Sequence, residues 1–165
     1  MIVVSDSTPL ITLMKAERLD VLQGLFGEVL IPEAVFNELT TNTDFTEEAD
    51  LVKNSSFIKV VSVNDDKAVS LLRRATGLDL GESEAIVYAD NNKADILLMD
   101  EVAGRRVATD MGFVIMGSIG VLIAAFKRGI LSQADAKEAL EKIKKANRHI
   151  SSKLLQDAIE VIEGN

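Results

Sequence analysis

Short apolar runs set between helical stretches constrain this chain more than any other feature. Residues 2–5, 29–31, 57–63, 95–99 and 113–116 are brief, rich in Val, Ile and Leu, and closed by polar or turn residues. Each reads as a buried strand. Between them the apolar residues recur at helical spacing, predicting helices over 10–16, 19–26, 33–40, 47–54, 65–75, 82–91 and 101–111. Three more follow the last strand, over 118–128, 133–146 and 153–162. Ser7-Thr8-Pro9 opens the first helix with a hydroxyl cap and a proline in the first turn. Pro32 opens the helix over 33–40, residues 41–46 form a polar loop, and 77–81 a turn. Strands alternating with helices predict a three-layer α/β/α fold, its central five-stranded sheet mostly parallel and covered on both faces. All 165 residues read as one domain, with a core over about 1–130 and a helical C-terminal tail over about 131–165.

Composition narrows the chemistry. There is no cysteine, which excludes a disulfide scaffold, a thiolate zinc site and a cysteine nucleophile. The single histidine, His149, sits in the tail and is not expected to act in catalysis. The opening residues, MIVVSDSTPL, have no basic region and no long apolar stretch, so a cytoplasmic location is expected. Net charge is −8, against a general nucleic-acid coat protein. The charge is uneven: residues 1–110 hold 20 acidic and 10 basic side chains, and residues 111–165 hold 6 and 8. The N-terminal part must repel anions or hold cations. The basic tail could touch a phosphate backbone or merely solvate helix faces.

Two segments rhyme. Ile2-Val3-Val4-Ser5-Asp6 and Ile96-Leu97-Leu98-Met99-Asp100 are apolar runs closed by aspartate. Ligands of open parallel sheets bind beyond the carboxyl ends of the strands, where both aspartates would lie. Glu38 follows the second strand on its helix. Glu82 and Glu84 open the helix over 82–91; a first-turn position explains Glu82 through the helix dipole but explains Glu84 less well. Two carboxylates about 4 Å apart repel by about 4 kcal/mol at an effective dielectric near 20. Several together call for protonation or a cation, and an all-oxygen set suits Mg²⁺ or Mn²⁺. Such a site can hydrolyse phosphodiesters without a His, Cys or Ser nucleophile.

The segments VSDSTPLI (4–11), IPEAVFNEL (31–39), GLDLGESEAIVYA (77–89), LLMDEVAGRRVA (97–108) and MGSIGVLIAAFKRGIL (116–131) together resemble the PIN-domain family, in its VapC-like branch. The resemblance covers nearly the whole chain. It implies a Mg²⁺- or Mn²⁺-dependent ribonuclease that cuts RNA internally, either the toxin of a toxin–antitoxin pair or an RNA-processing enzyme. It also implies a homodimer and a possible antitoxin partner. By motif it places Asp6, Glu38, Glu84 and Asp100 as the catalytic and metal-holding acids, with Ser7 and Glu82 supporting them. Commoner members carry aspartate where this chain has Glu84.

Other residues carry less. Arg105-Arg106 could meet a phosphate or pair with the acids. Glu101 suits a helix start, and Gly117-Ser118-Ile119-Gly120 reads as close helix–strand packing. The apolar stripes over 118–128 and along the tail helices exceed what one small sheet obviously covers, a second reason to expect a dimer. Two further readings compete with the nuclease. One is a non-catalytic module that keeps the fold and binds a protein. The other is a receiver-like phosphoacceptor, which needs a lysine at a late strand end where residues 113–118 have none.

Overall fold

A computed structural model describes residues 1–146 and 150–164, so His149 lies outside the described residues. Five strands form one sheet: β1 (Val3–Ser5), β2 (Val29–Pro32), β3 (Ile58–Val61), β4 (Ile96–Leu98) and β5 (Ile115–Met116). Their order is β3-β2-β1-β4-β5 and every pairing is parallel. The expected mostly parallel sheet is wholly parallel. β1, β3, β4 and β5 are shorter than their apolar runs, because the flanking residues turn into loops, while β2 runs one residue further to Pro32.

Parallel neighbours need crossover connections, and helices supply them. α1 (Ser7–Lys15) and α2 (Val21–Phe26) join β1 to β2, and α3 (Glu33–Thr40) and α4 (Thr46–Asn54) join β2 to β3. α5 (Asp66–Thr76) and α6 (Leu80–Asn91) lead to β4, and α7 (Val102–Asp110) to β5. α8 (Ser118–Lys127), α9 (Gln133–Ala146) and α10 (Ser152–Glu163) follow.

Strand alternation divides the core in two. Val3 and Leu98 face a cluster with α1, α2, α3, α8, α9 and α10. Val4, Leu97 and Met99 face the other way, against Ala85, Ile86 and Ala89 of α6 and Ala108 of α7. The register Val4↔Leu97 and Ser5↔Leu98 keeps each face in step. The apolar stripes of α8 and the tail helices cover one another: Val121 and Leu122 of α8, Leu140 and Ile143 of α9, and Leu155 and Ile162 of α10 share the first cluster. Those six residues are buried within one chain, while Leu154 and Val161 of α10 stay exposed. Arg18–Asp135 and Lys142–Glu17 ion pairs tie α9 to the loop after α1. Among the described residues, no helix is long and apolar enough to cross a membrane.

Two expectations need correction. Ser7 is no hydroxyl cap, because it is the first residue of α1, whose N-cap is Asp6 and has no side-chain cap hydrogen bond. Residues 77–81 are not all turn, because α6 begins at Leu80. Asp79 is its N-cap: Asp79 Oδ1 accepts from the Glu82 N–H (2.8 Å) and Glu82 Oε2 accepts from the Asp79 N–H (3.0 Å). This capping box satisfies two backbone donors reciprocally and starts the helix two residues earlier.

Candidate acidic site

Topology places the site. From β1 the chain builds outward to β2 and β3 on one side, then returns to add β4 and β5 on the other. The switch point lies between β1 and β4, and a crevice opens beyond their carboxyl ends. Asp6 directly follows β1, and its N–H donates to the Leu98 carbonyl of β4 (3.0 Å). Asp100 follows β4 by two residues. The two strand-end aspartates thus flank the switch.

Asp6 is 2% exposed, and its Oδ1 is buried with no hydrogen-bond partner among the described residues. Burial pushes its carboxyl up to about 7, and Asp79, Glu82 and Glu38 push the same way, against a lowering from the Ser7 N–H. Glu38 is raised mainly by desolvation, with Asp79 adding to it, while the Ser7 hydroxyl donates to Glu38 and opposes the shift. Glu82 is raised by burial and then by its acidic neighbours Asp79, Glu101 and Glu38, while its backbone bond at Asp79 lowers it. Asp6, Glu38, Asp79 and Glu82 therefore share one electrostatic neighbourhood.

Glycines make room for these acids. A Cβ on Gly81 would lie 3.3 Å from Glu38 Oε2 and 3.6 Å from Asp6 Oδ1, so Gly81 backs the gap between them. A Cβ on Gly104 would lie 3.2 Å from Glu82 Oε1. At Gly117 it would lie 2.8 Å from Asp100 Oδ1 and 3.0 Å from Arg105 Nη1. Gly117 thus gives space to a carboxylate and a guanidinium, a tighter role than the helix–strand packing expected of its turn.

Asp100 Oδ1 accepts from the Ser118 N–H (2.8 Å), one of the first-turn donors of α8 that the helix leaves free. Its Oδ2 and the Ser118 hydroxyl are buried without hydrogen-bond partners among the described residues. Arg105 Nη1 turns to the Met99 carbonyl (2.8 Å), so it forms no ion pair with the acids among the described residues. Glu101 stands at the N-cap of α7 without capping it; it accepts from the Thr8 hydroxyl at 3.5 Å.

Glu84 has another partner. Its Oε2 accepts from the Ala34 N–H (3.1 Å), in the first turn of α3, whose N-cap is Pro32 and offers no side-chain cap. The expected four acids are therefore not gathered alike. Asp6 and Glu38 flank the same gap at Gly81, Asp100 lies across the switch point, and Glu84 caps a neighbouring helix. Glu82, expected only to support, is the α6 glutamate whose charge reaches Asp6. Asp79 was missed as a site residue, although the Asp79-Leu80-Gly81-Glu82 spacing is a legible cap signal.

A family model for the PIN domain matches residues 2–163. The chain belongs to the PIN-domain family. PIN domains are generally nucleases, a class of hydrolases, and typically use divalent metal ions. A search of curated proteins gives no match. The donor chemistry here fits a hard cation: an all-carboxylate set, orphaned Asp6 Oδ1 and Asp100 Oδ2, and a gap held open by Gly81. As they stand, no three acids among the described residues are grouped closely enough to hold a metal.

Proposed function

We propose that this PIN domain is a divalent-metal-dependent endoribonuclease, acting on RNA as the toxin of a toxin–antitoxin pair or as an RNA-processing enzyme. One observation carries the reading: a buried aspartate with an unpartnered oxygen, at the sheet's switch point, within the field of three further acids. Mg²⁺ or Mn²⁺ would supply the Lewis acidity and charge neutralisation that phosphodiester hydrolysis needs. Asp6, Glu38 and Asp100 are the residues to hold it, with Glu82 in the place that sequence motif gave to Glu84. The Ser7 hydroxyl orients Glu38, and the Asp79 cap fixes the first turn of α6 and with it Glu82. The proposed homodimer draws on exposed apolar side chains such as Val102 and Val114, and Leu154 and Val161 of the tail. A cytoplasmic setting and an antitoxin partner belong to the same proposal.

The test is cleavage of single-stranded and structured RNA with Mg²⁺ or Mn²⁺, repeated with EDTA. Metal-dependent internal cuts are expected. A second reading, a non-catalytic interaction module, draws on the wide spacing of the acids and on the use of Glu84 as a cap. Absence of cleavage under every metal condition would favour it.

A further inference from the structure

Beside the acidic site lies a second concavity of about 270 Å³, between the end of α1 and the loop from α3 to α4. Glu38 lines it and also faces the gap behind Gly81, so the two sites share a wall. The other walls are chemically mixed. Ile11 and Leu39 are aliphatic, Phe45 is aromatic, Asn42 carries an amide and Lys15 a cation. Phe45 is half exposed, the only aromatic among the large exposed apolar side chains of the described residues. Its position in a polar loop gives the core nothing to explain it. Lys15 is exposed in the last turn of α1 and belongs to no ion pair among the described residues.

We infer that this cleft is a nucleotide subsite, in which Phe45 stacks an unpaired base and Lys15 meets the adjoining phosphate of single-stranded RNA. The inference rests on the proposed nuclease reading and places a binding subsite beside its acids. Every base has a π-face, so a lone aromatic ring beside a cation binds single strands with little sequence preference. A paired base cannot offer that face, so duplex is excluded. Glu38 and Glu48 repel phosphate from the rest of the cleft, which leaves Lys15 as the place where the backbone is tolerated. A strand seated there passes beside Glu38, the wall it shares with the acidic site. Occupancy of the cleft thus positions a neighbouring phosphodiester at the acids.

The chain has no tryptophan, so Phe45→Trp installs a single indole reporter in the cleft. Its fluorescence is titrated in EDTA with a short mixed-sequence single-stranded RNA and with the same sequence as duplex. Wild-type cleavage with Mg²⁺ or Mn²⁺ is measured separately. Saturable quenching by the single strand, little by the duplex, and at least about tenfold weaker binding on adding Lys15→Glu support the subsite. Quenching in a protein that cleaves no RNA also supports the subsite, while overturning the hydrolytic reading. No quenching by the single strand, or equal quenching by duplex, overturns the subsite even if the wild type cleaves RNA.

Discussion

The strongest tension in the molecule sits on one residue. Asp6 is an acid almost sealed from solvent, its carboxyl pushed to about 7 from an ordinary 3.8. The folded state therefore binds a proton more tightly than the unfolded chain. By linkage, metal-free stability falls as pH rises from about 4 to about 7, and the full penalty remains above that. Asp6→Asn removes the charge and keeps the shape. In EDTA at pH 8 the variant should be more stable than wild type by on the order of a few kcal/mol, read by urea unfolding. At pH 4 the difference should vanish. Equal pH profiles for the two proteins would refute this account of Asp6. Glu82 and Glu84 give a second contrast at the same scale. Two residues apart on a helix, they point about 200° from one another: the Glu82 charge acts on Asp6, while Glu84 turns to the Ala34 N–H. Glu82→Gln should lower RNA cleavage sharply. Glu84→Gln should leave cleavage nearer wild type and cost about 1 kcal/mol of stability, through a weaker bond to the Ala34 N–H. The reverse ranking in parallel cleavage and urea-unfolding measurements would restore Glu84 to the site.

Among the elements, α6 and the glycine that opens it show how local structure serves the site. Gly81 lies in the first turn of a helix, in a conformation any residue adopts, so alanine there improves helix propensity by about 1 kcal/mol at most. The added Cβ enters the gap between Asp6 and Glu38. Gly81→Ala is expected to unfold at the same or slightly higher urea concentration, while losing metal affinity and cleavage. A variant with full cleavage would show that the gap has no role. The elements also show what sequence could and could not disclose. Strands were legible because buried parallel strands are apolar on both faces and end abruptly, as Val3-Val4-Ser5 and Ile96-Leu97-Leu98 do. Asp6 and Asp100 were legible with them, since strand ends define the crevice. The rotation of α6 was not. Fixing it required the helix start, which the Asp79-Leu80-Gly81-Glu82 spacing signals but which Gly77 and Gly81 set against a turn. The α3 N-terminus lacking a side-chain cap, to which Glu84 is drawn, depends on two helices meeting in space and leaves no trace in local spacing.

At the scale of the whole molecule, acids gather at one edge of the sheet while the tail helices close the opposite requirement, coverage of α1 and α8. Val102 at 81% and Val114 at 64% are among the most exposed large apolar side chains of the described residues. Light scattering at tens of micromolar protein should report a dimer, and Val114→Glu should shift it toward monomer. A wild-type monomer would leave those residues without that role. The central claim is that the acids at the switch point act together around a divalent cation to cut RNA. It is tested most directly by following cleavage of single-stranded RNA while Mn²⁺ or Mg²⁺ is titrated into wild type and Asp6→Asn side by side. Wild-type cleavage should rise from background and saturate with metal, and Asp6→Asn should stay at background throughout. Cleavage by Asp6→Asn matching wild type, or a wild type inert at every metal concentration, would contradict the claim.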